Sequence, residues 1–381
     1  MILKKVLRYF YYLYFNRFIK NVFRTNYNKK VLISYITKPF KKENKGHTNN
    51  FEVLSAAKIF HELGYQVDVM HYETPPPKLD RYDVIYGFGD VFRNYFESGL
   101  SGKKTIYYGT GMHVAHQNTA SLARVKSVFN KKGCWLAKSS RFVEKTWSHQ
   151  TTLVDAIIAL GDEQCQKTYE AYYDGKVFSL PAPFYRTLDA AEINDNRCSD
   201  SRKKFLWFGS SGLIHKGLDL CLEYFSTRPD LTLHVCGDIF SEPEFLKAYD
   251  KELFSSANII VHGFVGVESE VFKNILSSCV FVIFPSCSEG GSPSVLTAIG
   301  NGALIPIISH DASCSTGAEI FIESYDFSGI EQAILRAESY TENEIYDLAN
   351  RNLETVLERN SQEAYFSKLK KLIVRITSDE M

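Results

Sequence analysis

The chain has 381 residues, and its 44 Lys and Arg are balanced by 44 Asp and Glu. At one domain per about 150 residues, this length points to two or three domains. A composition of 45% hydrophobic and 23% charged residues excludes a disordered, collagen-like or coiled-coil chain. The absence of a basic surplus disfavours a protein that coats nucleic acid, and no nucleic-acid partner is expected. The eight cysteines form no CxxC pair, and several sit inside apolar runs, such as Cys236 in LHVCGD and Cys279 in SSCVFVIF. They read as buried thiols of a reducing, cytoplasmic compartment.

Residues 1–24, MILKKVLRYFYYLYFNRFIKNVFR, carry six basic residues and no acidic one, so the rest of the chain is net acidic. The charge-free run between Arg8 and Arg17 is too short for a span, which needs about 20 residues. No small-residue cleavage site follows, which argues against a secretory signal. The expectation is a basic aromatic helix over residues 1–28. It would lie on a membrane surface, making the protein peripheral on the inner face, or pack on the protein's own first domain.

From residue 30 short β-rich runs alternate with helical patterns. The first half offers strands at 30–36, 66–72, 83–89, 103–109, 155–161 and 176–181. Between the first two, FEVLSAAKIFHELG has helical apolar spacing and ends in Gly64, a usual C-terminal stop. The stretch 112–150 is polar and less regular, with Trp135 and Trp147, and reads as part of a cleft wall. Residues 181–204 are polar without period and read as an interdomain linker. Alternation restarts with strands at 205–209, 231–237, 258–265, 279–286, 304–309 and 319–324, and helices close the chain over roughly 342–376. The fold class is α/β, with two Rossmann-like domains of parallel strands facing each other across a cleft. The divisions are 29–185, 186–341 and C-terminal helices over 342–381 that return to the first domain.

Three features of the second half converge at the carboxyl ends of its strands, where doubly wound sheets bind ligands. In FLWFGSSGLIHKGLDL a strand ends at Gly209, a small-residue loop follows, and Lys216-Gly217 opens a helix. Small residues admit an anion and the lysine adds charge, which suits a pyrophosphate; an ordinary turn with a surface lysine is the plain alternative. In FPSCSEGGSPSVLTAIGNGALIPIIS, Glu289 lies beyond a strand end, Ser292 is a natural N-cap and Pro293 a natural first helical residue. A carboxylate for sugar hydroxyls beside free helix N–H groups for phosphate suits a sugar nucleotide. In IIVHGFV, the backbone at His262, Gly263 and Phe264 would present hydrogen-bonding groups to a nucleobase edge.

These pieces, in this order over residues 205–309, resemble the donor domain of a GT-B glycosyltransferase of the large family 4. The resemblance implies a retaining glycosyltransferase, a hexosyltransferase that uses a nucleotide diphosphate sugar as substrate, with no cofactor and no metal. It implies that Lys216 neutralises the donor diphosphate and that Gly209, Ser210, Ser211 and Gly212 approach the same group. It implies that Glu289 holds the transferred sugar and that Gly290, Gly291 and Ser292 offer N–H groups. The chain departs from the family's E-x7-E motif, because the second position is Thr297, where a Glu would hold the ribose. It also has Ser210 and Ser211 where the family often has an arginine, so an arginine from elsewhere would have to serve.

The first half should supply polar groups across the cleft. His113 and His116 in GTGMHVAHQN follow a strand end and are candidates for contact with the sugar or the phosphate. Without a carboxylate in register they do not read as metal ligands, and the GxGxx pattern lacks the third glycine of a dinucleotide loop. The loop ENKGHTNN places Gly46, His47, Thr48 and Asn49 between the first strand and a helix, within reach of the diphosphate or the acceptor. The acceptor is expected to be a glycan or lipid-linked glycan of surface polysaccharide synthesis. A non-catalytic sugar-nucleotide or glycan-binding subunit and a nucleotide-sugar epimerase of the same architecture are the competing readings.

Overall fold

A computed structural model describes residues 18–42, 46–145, 151–195, 197 and 199–378. The first seventeen residues of the N-terminal segment, and Trp147, lie outside the described residues.

The first half runs β1 (Lys29–Tyr35), α1 (Asn49–Glu62), β2 (Tyr65–His71), β3 (Val84–Gly87), α2 (Val91–Glu97), β4 (Lys104–Gly109), α3 (Val114–Lys132), β5 (Ala156–Leu160), α4 (Glu163–Glu170) and β6 (Lys176–Leu180). After α5 (Ala190–Asp195) the second half runs β7 (Lys204–Phe208), α6 (Leu218–Phe225), β8 (Thr232–Cys236), α7 (Pro243–Ala248), α8 (Asp250–Ser255), β9 (Ile259–Gly263), α9 (Glu270–Ser278), β10 (Phe281–Phe284), α10 (Pro293–Gly302), β11 (Ile305–Ser309) and β12 (Ile320–Ile322). It closes with α11 (Phe327–Ser339), α12 (Glu342–Asn360) and α13 (Gln362–Thr377).

The strands form two six-stranded parallel sheets, ordered β2-β1-β3-β4-β5-β6 and β12-β11-β10-β7-β8-β9. Their continuous apolar runs follow from burial on both faces: Phe205, Leu206 and Trp207 of β7 and Phe281 to Phe284 of β10 are all buried. Fully burying each such side chain contributes about 1.5–3 kcal/mol. Helices are capped as their sequences suggest, for example α9 by Ser269 Oγ, which accepts the Phe272 N–H at 3.2 Å, and α12 by a reciprocal Thr341–Glu344 box. Helix α12 packs on α10 and β11, whereas α13 packs on α1 and β6 of the first sheet. There Tyr365 bonds Tyr108 at 2.9 Å and Lys370 bonds Glu62 at 2.7 Å.

Three regions depart from the sequence expectation. Residues 18–24 are not helical. Ile19 pairs antiparallel with Val69 through two 2.8 Å backbone bonds, and the Val22 N–H bonds the Val67 carbonyl at 2.9 Å. Strand β2 is an edge whose backbone groups need partners, and Asn21 and Arg24 take positive φ values that a helix does not allow. The stretch 112–150 lines the cleft through Met112, Val114, Gln117, Arg141 and Val143, as expected, but it is not irregular: it contains the 19-residue helix α3. Its polar surface is spent on ion pairs to the second half: Lys131 to Glu223 at 2.8 Å and Lys132 to Glu252 at 2.6 Å. Trp135, expected in a cleft wall, packs edge-on against Phe129 and stays 55% exposed. The stretch 181–204 contains α5 and is bound to the second half, with Asn301 Oδ1 accepting the Thr187 and Leu188 N–H groups at 2.6 and 3.0 Å. Among the described residues no helix is long and apolar enough to cross a membrane.

Candidate active site

In the second sheet β7 lies beside β10, although 72 residues separate Phe208 from Phe281 in the chain, and the strand order reverses between them. Their carboxyl-end loops therefore lie side by side at the switch point, where a doubly wound sheet leaves a crevice. The two loops are bonded together: Cys287 N–H to the His215 carbonyl at 2.9 Å, Ser286 Oγ to the same carbonyl at 3.2 Å, and His215 Nε2 to the Ser288 carbonyl at 2.5 Å. Gly217 permits this approach, since its φ is +69° and a Cβ there would stand 2.4 Å from the Pro285 carbonyl oxygen. The outcome is a contact between Lys216 Nζ and Glu289 Oε1 at 2.5 Å, with both side chains buried.

Burial alone would raise the Glu289 pKa, but Lys216, Arg141 and His215 outweigh it and hold the carboxylate at about 2. Ser286 Oγ donates to it at 3.1 Å. Burial lowers the Lys216 pKa, and Glu289 opposes that shift. His215 is fully buried, and burial lowers its pKa to about 3, so the ring is neutral. Its Nδ1 lies 3.1 Å from Ser121 Oγ of α3.

The other second-half candidates fall as follows. Ser210 and Ser211 stay exposed in the loop. Gly212 does not offer its N–H to the cleft: the Glu242 carboxylate accepts it at 2.5 Å and the Leu213 N–H at 3.4 Å. A carboxylate already fills the role expected of phosphate there. The Gly209 N–H is bonded to the Cys236 carbonyl within the sheet. Ser292 occupies the N-cap of α10, but its side chain does not cap; with φ at +41° its Oγ turns away and donates to the Ala312 carbonyl at 2.6 Å. Gly290 and Gly291 form the seam between the halves. A Cβ on Gly290 would lie 2.4 Å from the Thr110 carbonyl oxygen, and one on Gly291 would lie 2.7 Å from Ala182 Cβ. Thr297 donates its hydroxyl to the Pro293 carbonyl at 2.7 Å, within its own helix. His262 stacks on His234, with Nε2 2.9 Å from Nδ1, while Phe264 is 76% exposed and Gly263 gives its carbonyl to the Gly237 N–H.

In the first half His113 is not a cleft residue. Its Nδ1 caps α3 by accepting the Ala115 N–H, its Nε2 meets Thr151 Oγ1 at 3.2 Å, and its ring stacks on Tyr172. Burial lowers its pKa to about 4. His116 faces Asp311 of the second half, with Nε2 3.3 Å from Oδ1. Gly46 is exposed, and Thr48 is the buried N-cap residue of α1. Between them His47 keeps an exposed surface yet lies close enough to Arg141, Lys216 and Glu289 to feel their charges; partial desolvation and the two cations lower its pKa, and Glu289 opposes them.

Two contributors went unnoticed in the sequence. His215 sits inside the loop motif but has no spacing that marks it. Arg141 lies in an irregular segment without any motif, yet its Nη1 is 3.6 Å from Glu289 Oε2. A cleft with a cavity of about 80 Å³ lies between the halves, lined in part by Tyr107, Gly111, Gln117, Arg141, Tyr169 and Glu289. Among the described residues no three His, Cys, Asp or Glu side chains cluster as a metal site requires.

No family model matches the chain, and no curated protein matches it in sequence. Several solved structures match it in shape. HepE from Anabaena, determined with UDP and glucose, is 10% identical with a TM-score of 0.57, over 91% of this chain and 99% of that one. A glycosyltransferase from Rickettsia africae is 12% identical with a TM-score of 0.57, over 92% and 99% of the two chains. A UDP-forming trehalose-phosphate synthase from Burkholderia xenovorans is 12% identical with a TM-score of 0.53, over 90% and 82%. Two parallel α/β units meeting at a cleft, matched in shape by these structures over most of their length, make this chain one of GT-B fold.

Proposed function

We propose that the protein is a retaining glycosyltransferase that moves a sugar from a nucleotide diphosphate donor to a hydroxyl of a glycan or lipid-linked glycan. The observation that carries this reading is the buried Glu289–Lys216 pair at the switch point of the second sheet, opened to the cleft between the halves. The shared fold supports it, since HepE has been determined with UDP-glucose and the pneumococcal transferase GtfA with UDP and GlcNAc.

In this mechanism the bond between the anomeric carbon and the diphosphate oxygen breaks, and the acceptor oxygen forms the new bond to that carbon. The acceptor's proton passes to the departing diphosphate oxygen as the acceptor oxygen attacks. Negative charge develops on the departing diphosphate, and Lys216, whose side chain is buried beside Glu289, offsets it. Glu289, ionised throughout the neutral range, accepts hydrogen bonds from hydroxyls of the transferred sugar. The first half holds the acceptor against the donor, so positioning supplies much of the rate. Residues 1–17 would bring the enzyme to an anionic membrane surface on the cytoplasmic side, where a surface-polysaccharide acceptor is lipid-linked.

The test is release of nucleoside diphosphate from a panel of nucleotide sugars, with and without glycan acceptors, by the wild type, Glu289→Ala and Lys216→Ala. Equal rates in all three sink the site. Nuclear magnetic resonance of the first-formed product reads the anomeric configuration, and an inverted product sinks the retaining assignment. A second reading, a non-catalytic sugar-nucleotide binding subunit, is favoured by Thr297, whose hydroxyl is committed to Pro293 and replaces a stronger carboxylate contact. Calorimetric binding without turnover on any acceptor would select it.

A further inference from the structure

Helix α3 and the segment that follows it begin in the first half and dock on the second. The docked surface includes the buried Arg124–Asp219 pair, Lys131–Glu223, Lys132–Glu252 and Lys138–Glu244. After α3 the chain turns back, and the Ser139 carbonyl accepts the N–H groups of Ile214 and His215 at 3.1 and 3.3 Å. The next residues are pinned to the start of α3: Gln117 donates to the Arg141 carbonyl, and Asn118 bonds Val143 through both its amide groups, at 2.8 and 2.9 Å. Arg141 is thereby held over the β7 loop. Its Cγ lies 2.7 Å from where a Cβ on Gly212 would stand, and Gly212 has a φ of +88°. Only glycine leaves room for this side chain to cross.

Among the described residues the guanidinium then has donors to spare. Glu289 is the carboxylate shared by Lys216 at 2.5 Å and Arg141 at 3.6 Å, so only Lys216 is within hydrogen-bond reach of it. Arg141 is half exposed at the rim of the cleft. Two cations stand beside the Glu289 carboxylate, and Arg141 is the one that lines the cleft beyond hydrogen-bond reach of it. The loop N–H groups of Gly212 and Leu213 are already taken by Glu242, so an anion there must be met by side chains.

We propose that Arg141 binds the diphosphate of the donor together with Lys216, so that a residue from the first half of the chain completes the anion site of the second. This rests on the reading of the site as one for a nucleotide diphosphate sugar. A planar guanidinium with several donors suits two neighbouring phosphate oxygens, and the docked strap fixes its position before the donor arrives.

The test measures binding of UDP, GDP, ADP and inorganic pyrophosphate, and of the matching nucleosides, to the wild type, Arg141→Gln and Arg141→Lys. Arg141→Gln is expected to weaken the best nucleoside diphosphate and pyrophosphate about tenfold or more, while the nucleoside is unaffected. Arg141→Lys is expected to restore part of the loss, which a fold defect would not. Unchanged diphosphate affinity in Arg141→Gln, with or without slower turnover, overturns the proposal and leaves Arg141 only a partner of Glu289. If the wild type binds none of these anions, the nucleotide-sugar reading fails and this assignment with it.

Discussion

Arg124 of α3 and Asp219 of α6 meet at 2.5 Å in an ion pair that joins the two halves of the molecule, with side-chain exposures of 3% and 0%. Arg124 also donates to the Tyr325 carbonyl at 3.1 Å. A buried pair contributes little net stability while both partners are present, because desolvation offsets the attraction. Removing one partner leaves a buried charge without its counter-charge. Asp219→Ala or Arg124→Ala is expected to cost about 3–5 kcal/mol in urea unfolding, whereas replacing both by apolar residues of similar volume costs much less. Equal losses in the single and double variants would show that the pair is not the source.

The carboxylate of Glu289 has a defined pH signature. Its pKa is about 2 in the folded protein against about 4.3 in an unfolded chain, so its ionised form is favoured by folding. The stability it contributes is complete above about pH 4.5 and is lost as pH falls toward 2. The stability difference between the wild type and Glu289→Gln should therefore shrink through that window. Between pH 5 and 8 neither Glu289 nor His215, at about 3, changes charge. The wild-type pH–rate profile should therefore show no ionisation of either group there, whereas Glu289→Gln, which removes the charge that opposes the lowering of the Lys216 pKa, should lose activity toward higher pH.

At the seam, Gly290→Ala would put a methyl group 2.4 Å from the Thr110 carbonyl oxygen and 3.0 Å from Gly111 Cα. Both are backbone atoms, so relief requires the halves to separate. A loss of about 1–3 kcal/mol is expected, together with a marked fall in activity. Gly266→Ala, where a Cβ meets nothing within 4 Å, is the control and should change melting temperature by little.

The N-terminal segment is open to test in two parts. Residues 18–24 cover the edge of β2, and Phe23 stacks on His61. Deleting residues 1–17 should reduce sedimentation with anionic liposomes. Deleting residues 1–24 should also lower the melting temperature, since it exposes the Val67 and Val69 backbone groups. Liposome binding that survives both deletions would end the membrane role.

The strands were legible because a strand buried on both faces must be a short apolar run bounded by polar segments, and each strand read from the sequence forms within a few residues of its expected bounds. The Lys216 loop and the Glu289 loop were legible for a related reason: each joins a strand end to a helix start with small residues. Helix α3 was not. An isolated helix announces itself by an apolar stripe, but α3 is held by Arg124, Lys131 and Lys132 against acidic partners about 90–120 residues away, so its pattern looks merely polar. His113 misled for the opposite reason. A histidine just beyond a strand end looks like a cleft residue, and only its burial against Thr151 and Tyr172 shows it to be a helix cap.

The balance of 44 basic and 44 acidic residues, the alternation of strands and helices and the two loop motifs were therefore settled along the chain, because each depends on neighbours within a few residues. Which carboxylate meets which cation was decided only in three dimensions. Lys216 and Glu289 touch because strand order reverses between β7 and β10, and Arg141 joins them because a helix from the other half carries it there. Sequence period encodes which face of an element is buried. It does not encode the long-range docking that brings charges 73 and 148 positions apart to one carboxylate.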